Sequence, residues 1–179
     1  MARPVEIEIK LKVPSPEEAR EMMRRLGAAL VRPRHFEDNL LFDYDGGVLR
    51  GKGNVLRLRE TPGQAILTFK GPYQIKGGLK SREEIEAGTG DPAALRTILE
   101  RLSLRPTFRY QKYREVYAWG GQEIVIDETP IGVYLEIEGD AEGIGAAAEA
   151  LGFAPAAYVT DSYAALFRAA GGTGDMVFP

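Results

Sequence analysis

Alternating charges on the first predicted strand could bind a metal ion or a phosphate. The run 5–13 places apolar side chains on one face and Glu6, Glu8, Lys10 and Lys12 on the other. On a solvated sheet these residues would form an ordinary polar stripe. Inside a closed barrel they would form carboxylate metal ligands beside a lysine that binds an anion. The rest of the sequence has to decide between the two interpretations.

The same pattern recurs on later predicted strands, where a charged face opposes an aliphatic or aromatic one. The acidic members are Glu6, Glu8, Glu84, Glu86, Asp127, Glu136 and Glu138, and the basic members are Lys10, Arg57, Arg59, Lys70, Arg82, Lys112 and Arg114. If helices cover the apolar faces, these charges must meet inside a barrel, where they have to be paired, hydrated or bound to a ligand. A nucleoside triphosphate with Mg²⁺ fits, because arginine and lysine hold phosphate oxygens while carboxylates hold the metal.

Helix signals place helices between the predicted strands. Ser15 reads as an N-cap before Pro16, and Gly27 ends that helix. Asp91 begins a second helix by the same combination of cap and proline. Asp140 begins an alanine-rich helix ending at residue 152, and a last helix is expected over about 160–170.

Extended runs supply the strands that these helices must cover. They are predicted at 5–13, 28–34, 35–44, 54–60, 64–70, after the glycine pair 77–78, and at 108–119, 122–128 and 132–139. About eight strands with alternating faces, most of them close enough for antiparallel pairing, favour an α+β fold. We expect a closed eight-stranded antiparallel β-barrel with helices packed on the outside.

Composition limits the classes of protein to which the chain can belong. Its 179 residues include 23 Lys and Arg and 26 Asp and Glu, so the small negative net charge argues against nucleic-acid binding. Without cysteine and with one histidine, His35, a metal would be held by carboxylates, which favours Mg²⁺ or Mn²⁺. No signal peptide opens the chain and no apolar run approaches about 18 residues, so we expect a cytoplasmic protein without a membrane partner.

The chain is expected to form one domain over 1–170, followed by a flexible C-terminal tail at 171–179. His35 is interpreted as structural or as a peripheral contact to substrate. Tyr163 is interpreted as core packing. The sequence leaves the oligomeric state open between monomer and homodimer.

An ordered set of motifs resembles the CYTH superfamily, the triphosphate tunnel metalloenzymes. Residues 6–10 are similar to its ExExK signature. The later motifs follow in the family's order at 56–59 (LRLR), 68–72 (TFKGP), 81–86 (SREEIE), 112–114 (KYR), 126–127 (ID) and 135–139 (LEIEG). The terminal run 162–166 (SYAAL) and the compact length are most similar to the CyaB-type class IV adenylate cyclase branch. The stretch 127–132 departs from the form of the better-known cyclases.

The resemblance implies a tunnel that binds a triphosphate and assigns roles to the charged residues. The implied metal ligands are Glu6, Glu8, Asp127, Glu136 and Glu138, and the implied substrate contacts are Lys10, Arg57, Arg59, Lys70, Arg82, Lys112 and Arg114. Glu6, Glu8, Lys10 and Asp127 are the implied catalytic residues. Phosphoryl chemistry of this kind depends on positioning and charge neutralisation and needs no protein nucleophile.

Three functions remain open from the sequence. The leading hypothesis is a class IV adenylate cyclase-like enzyme that converts ATP to cyclic AMP and pyrophosphate. The second is a triphosphatase that hydrolyses thiamine triphosphate or inorganic tripolyphosphate. The third is a non-catalytic module that binds polyphosphate or nucleotide.

Overall fold

The computed structural model describes residues 5–179, which are organised around one antiparallel sheet that closes on itself. The strands are β1 (Val5–Val13), β2 (Ala29–Tyr44), β3 (Val55–Thr61), β4 (Gln64–Lys70), β5 (Gln74–Lys76), β6 (Leu79–Thr89), β7 (Leu104–Trp119), β8 (Gln122–Thr129) and β9 (Gly132–Glu138). They follow the order β1-β9-β8-β7-β2-β3-β4-β6-β5, and the additional pairing of β1 with β6 closes eight of them into a barrel. The predicted fold class is therefore confirmed.

Five α-helices are described within residues 5–179, and those that follow Ser15, Asp91 and Asp140 begin at the predicted caps. They are α1 (Pro16–Leu26), α2 (Val48–Gly51), α3 (Pro92–Arg101), α4 (Ala141–Ala150) and α5 (Tyr163–Ala169). The Ser15 hydroxyl accepts a hydrogen bond from the Glu18 backbone N–H at 3.2 Å, and Gly27 ends α1 in the left-handed conformation. The last helix is shorter than expected because Ser162 caps it two residues beyond the predicted start.

Outward-facing aliphatic side chains form the core between the barrel and its helices. Ile9, Leu11, Leu135 and Ile137 are completely buried against α1 and α4. Leu99 of α3 contributes to a second apolar cluster on the outer faces of β2, β3 and β4. Because the apolar faces point outwards beneath helices, the charged faces of the same strands point into the barrel.

Two predicted strands are one in the structure. Residues 29–44 form a single strand, β2, whose pairing with β7 is irregular between Leu30 and His35. Pro33 lies within this irregular stretch, where a bulge accommodates a residue that cannot donate a backbone hydrogen bond. The proline thus interrupts the ladder without ending the strand.

The end of the chain packs on β7, although a flexible tail was expected from 171–179. The Met176 N–H donates to the Arg109 carbonyl and the Met176 carbonyl accepts from the Gln111 N–H, both at 2.9 Å. The Met176 side chain is fully buried, and Phe178 packs on Tyr113. The prediction of one domain over 1–170 remains untested, and its first four residues lie outside the described part of the chain.

Within residues 5–179, we find no helix with the length and apolar character needed to cross a membrane.

Candidate active site

The barrel surrounds a cavity of about 480 Å³ whose wall is mainly charged. Its basic lining residues are Lys10, Arg57, Arg59, Lys70, Lys80, Arg82, Lys112 and Arg114, and its acidic ones are Glu6, Glu8, Glu84, Glu86, Glu123, Glu136 and Glu138. All of the charged residues predicted from the strand pattern are among them except Asp127. The structure also adds Lys80 and Glu123, which the sequence analysis did not include.

The strand register aligns four of these residues in one row across the wall. Glu8 of β1 is directly opposite Lys80 of β6 on one side and Glu138 of β9 on the other. Glu138 is in turn opposite Glu123 of β8. Directly opposed side chains on neighbouring strands have Cβ atoms about 4.5–5.5 Å apart. Three carboxylates therefore follow one another next to a single ammonium group.

Glu6 is held by two cations at one end of the first strand's charged face. Its carboxylate oxygens accept hydrogen bonds from Lys70 Nζ at 2.8 and 3.0 Å and from Arg82 Nε at 3.2 Å. Burial nevertheless raises the pKa of Glu6 above its ordinary value, because removal from water outweighs the attraction to Lys70. The Glu6 carboxylate is thus paired but poorly solvated.

Glu8 shares its carboxylate with two lysines. Glu8 Oε1 accepts from Lys80 Nζ at 2.6 Å and from Lys10 Nζ at 3.1 Å. Burial opposes ionisation, but the two ammonium groups overcome it and hold the pKa of Glu8 well below its usual range. Lys10 also contacts Glu136 at 3.2 Å, so this lysine bridges two carboxylates.

Glu138 differs from both, because its neighbours are mainly acidic. Burial is the largest cause that raises the pKa of Glu138 to about 7, and the negative charges of Glu6 and Glu84 add to it. No ion pair of Glu138 is found within residues 5–179. A cation bound next to it would relieve this repulsion.

Asp127 lies behind the cavity wall, in the most completely paired part of the interior. Its carboxylate accepts from Lys112 Nζ at 2.8 Å, from Arg114 at 2.7 and 2.6 Å, and from the Tyr163 hydroxyl at 2.8 Å. Arg114 also contacts Glu136. The Asp127 side chain is fully buried, so these donors would have to move before it could bind a metal. Its catalytic and metal-binding roles stay predictions.

Arg57 and Arg59 present a cationic surface on β3. Arg57 donates to the Tyr110 hydroxyl and to Thr68, both at 3.3 Å, and lies 3.5 Å from Glu86. Among the described residues, the buried Nε atoms of Arg57 and Arg59 lack a hydrogen-bond partner. Buried donors without partners are costly, and an anionic ligand could satisfy them.

His35 and Tyr163 occupy different positions relative to the cavity. The His35 Nδ1 atom lies 2.9 Å from the Pro33 carbonyl and its Nε2 atom lies 3.5 Å from Glu37, behind the cavity wall. Tyr163 packs against Tyr134 and also lines the cavity, so it combines core packing with a position beside the ligand space.

Besides Glu123, three interior residues were absent from the sequence prediction. Lys80 points to the same face of β6 as Arg82, and this alternation could have identified it. The glycine turn just before Lys80 made the start of the strand unclear in the sequence. Glu37 is 2% exposed and lies 3.5 Å from Lys112, and apolar neighbours on both faces of β2 hid its alternation. Tyr110 continues the inward face that carries Lys112.

The acidic residues have the chemistry of a site for a hard cation, but they do not form a ready ligand set. Within residues 5–179, no three carboxylate or histidine side chains are grouped so that they could hold a metal ion. The carboxylates of Glu6, Glu8 and Glu136 are instead paired with basic side chains. The carboxylate oxygens of these residues, together with Glu138, which has no ion pair in the described part of the chain, suit Mg²⁺ or Mn²⁺ if some of the ion pairs open.

An eight-stranded barrel with an apolar exterior and a mixed-charge tunnel defines the class of protein to which the chain is related. Residues 4–156 match the CYTH domain family. The chain therefore belongs to the CYTH domain family.

One curated relative extends this match. A protein of Methanocaldococcus jannaschii named "Putative adenylate cyclase" is 30% identical over 135 residues, covering 75% of this chain and 76% of the relative.

Solved structures share the fold at lower sequence identity. A Vibrio parahaemolyticus protein described as a putative adenylate cyclase has a TM-score of 0.82 at 18% identity, covering 93% of this chain and 99% of its own. A Hippeastrum protein, described as a putative adenylyl cyclase with a dominant triphosphatase activity, has a TM-score of 0.69 at 23% identity, covering 94% and 97%. At these identities the likeness concerns the fold.

Proposed function

We propose that the protein is a metal-dependent enzyme that binds an organic triphosphate in the barrel and converts ATP to cyclic AMP and pyrophosphate. The observation that carries the proposal is the charged cavity of about 480 Å³, a volume typical of small-molecule sites. Its wall combines phosphate-binding side chains with carboxylates suited to the ligand's cations.

The basic side chains bind the phosphate chain. Arg57 and Arg59 approach from β3, while Lys112 and Arg114 approach from β7 on the other side of β2. Arginine offers paired donors to phosphate oxygens, and buried lysine adds a localised positive charge. Binding from several strands fixes the phosphates in one line, which an in-line displacement requires.

The acidic side chains hold the cation that accompanies the triphosphate. Glu8 and Glu138, opposed across β1 and β9, are the first candidates, and Glu6, Glu136 and Asp127 are the others named from the resemblance. When bound, Mg²⁺ or Mn²⁺ neutralises phosphate charge and favours ionisation of the attacking oxygen. This metal assignment is part of the proposal.

Cyclisation requires the ribose 3′-hydroxyl of ATP to attack the α-phosphorus. The hydroxyl loses its proton to water, the new O–P bond closes the ring as the bond to the β-phosphate oxygen breaks, and pyrophosphate leaves with that electron pair. The residues of the tunnel position the chain and stabilise the negative charge on the leaving group. The adenylate cyclase name of the Methanocaldococcus jannaschii relative supports this reaction.

Triphosphate hydrolysis is the second candidate, and the triphosphatase activity described for the Hippeastrum protein favours it. Here water attacks the terminal phosphorus and orthophosphate is released. The same phosphate contacts serve both reactions. The outcome depends on whether a ribose hydroxyl or a water molecule occupies the attacking position.

Product analysis distinguishes the two reactions. The protein is incubated with ATP, tripolyphosphate or thiamine triphosphate, each with Mg²⁺ or Mn²⁺, and the products are separated. Cyclic AMP with an equal amount of pyrophosphate supports the cyclase. Orthophosphate without cyclic AMP supports the triphosphatase, and tight binding without turnover with either metal identifies a non-catalytic binding module.

A further inference from the structure

Lys80 occupies the position from which it can compete with a metal ion for Glu8. The residue is 3% exposed, and its Nζ atom donates to Glu8 Oε1 at 2.6 Å. On the other side of Glu8, β9 presents Glu138, which is the neighbouring carboxylate in the row. A cation placed between Glu8 and Glu138 would therefore meet the Lys80 ammonium at the Glu8 oxygens.

Lys10 is held more firmly than Lys80 and is the less mobile of the two partners. Lys10 Nζ lies 3.1 Å from Glu8 and 3.2 Å from Glu136, and it faces the Tyr163 ring at 5.5 Å. The ion pair found for Lys80 within residues 5–179 is the one to Glu8. Lys80 can leave Glu8 by breaking fewer contacts.

The cavity offers Lys80 a second partner once a triphosphate is present. Its side chain lines the same space as Lys70 and Arg82, and its Nζ atom lies 5.8 Å from the ring centre of the half-exposed Tyr73. A flexible four-carbon side chain can turn towards phosphate oxygens over this short range. A buried ammonium without a carboxylate would otherwise be costly.

We infer that Lys80 is an exchange cation, a positioning residue that neutralises Glu8 before ligand binding and moves to the triphosphate when a divalent cation takes Glu8. This inference rests on the proposed function. It explains how Glu8 can be fully paired in the ligand-free protein and still serve as a metal ligand. It also links the two binding events, because the cation that occupies Glu8 releases a lysine for the phosphate.

The Lys80→Met variant tests the exchange by binding alone. Titration with Mn²⁺ in the absence of phosphate should show about tenfold tighter binding than in the wild type, because the competing ammonium is gone. Titration with tripolyphosphate in the presence of EDTA should show about tenfold weaker binding, because one charge-assisted hydrogen bond is lost. A lysine that only packs against the wall, without acting on either ligand, would leave both affinities unchanged.

Control variants separate charge from packing. Lys76→Met removes the same charge from an exposed position on the neighbouring strand β5 and should leave both affinities unchanged. Lys80→Arg keeps the charge and should retain weak Mn²⁺ binding. If Lys80→Met does not fold, Lys80→Gln repeats the test, because it removes the charge but keeps a polar group next to Glu8.

Two results would overturn the inference in different ways. Wild-type affinity of Lys80→Met and Lys80→Gln for Mn²⁺ would reject the exchange while leaving the proposed function intact. A wild-type protein that binds neither Mn²⁺ nor tripolyphosphate would reject the proposed function itself and the exchange with it.

Discussion

Two networks of charged side chains lie on opposite sides of the same barrel wall. On the outside, Arg20 of α1 donates to Glu115 and Glu128 at 2.7 Å each, and Arg34 donates to both Glu128 oxygens at 2.9 Å. The Tyr117 hydroxyl completes the set by donating to Glu115 at 2.9 Å. We call this the outer network.

The charges that line the cavity, which we call the inner network, are less well matched. Glu138 lies among other carboxylates. In the outer network, by contrast, arginine side chains contact both carboxylates. Buried Nε atoms of Arg57 and Arg59 also lack partners within the described chain. Because an incomplete network can gain energy from a ligand, the comparison supports the proposal that the inner network is the binding site.

The largest expected effect is the loss of turnover in a Glu8→Gln or Glu138→Gln variant. Either change removes a proposed cation ligand, so turnover with Mg²⁺ or Mn²⁺ should fall about 100-fold or more. Both substitutions nearly preserve volume, but Glu8→Gln leaves the buried Lys80 ammonium without its carboxylate, so turnover is compared per folded molecule and thermal unfolding measures the folded fraction. Full activity in both variants would contradict the metal assignment and remove the functional distinction between the two networks.

Arg57→Met should have the next largest effect, on substrate binding. Loss of one guanidinium that contacts phosphate should weaken tripolyphosphate binding by about 10- to 100-fold, as measured by calorimetry. Arg34→Met is the matched control, because it removes the same charge from the outer network. Equal affinities for Arg57→Met and Arg34→Met would show that the inner arginine has no special role.

Glu128→Gln should lower stability without changing turnover. It leaves Arg20 and Arg34 without one of their carboxylates, and because both arginines are partly exposed we expect a loss of about 1–2 kcal/mol in the free energy of unfolding. Urea denaturation measures this loss. A drop in turnover per folded molecule would mean that the outer network also acts on the site.

Strand alternation in the sequence was sufficient to predict the barrel and most of the inner network. Glu6, Glu8 and Lys10 identify their shared face without any tertiary information, because strand periodicity alone sets it. Lys80 and Glu123 follow the same alternation, yet no local feature distinguishes them from solvated side chains until the register places them beside Glu8 and Glu138.

Pairing inside the barrel was beyond the reach of the sequence. Asp127 and Glu138 both have the residue type of a metal ligand, but Asp127 is enclosed by Lys112, Arg114 and Tyr163 while Glu138 is left among acids. These contacts depend on the register of strands far apart in sequence and on the approach of α5. The packing of the C-terminal residues on β7 depends equally on tertiary contacts, since 171–179 has no strong strand pattern.

The last expected effect is a pH dependence of stability that comes from the inner network. The folded-state pKa of Glu138 is about 7, compared with an ordinary value of 4.5. Between these values the folded protein binds more protons than the unfolded chain, so the free energy of unfolding falls as pH rises. The pKa of Glu6 is also raised, which acts in the same direction.

Other carboxylates contribute in a separate pH range. The pKa values of Glu8, Glu136 and the outer Glu128 are lowered, so their stabilisation is lost as pH falls below about 4.5. Burial and the charges of Glu6, Glu84 and Glu123 raise the pKa of Glu138, while Lys70 opposes them. Between about pH 5 and 8 the decrease in stability should therefore come from the inner network.

Urea denaturation of metal-free protein at several pH values in this range tests the assignment. The wild type should lose stability with rising pH, and Glu138→Gln should lose less because its side chain cannot ionise. Glu128→Gln should keep the wild-type slope, although its stability is lower throughout. If Glu138→Gln retained the full slope, the repulsion at Glu138 would not be the source, and the contrast between an incomplete inner network and a complete outer one would lose its electrostatic basis.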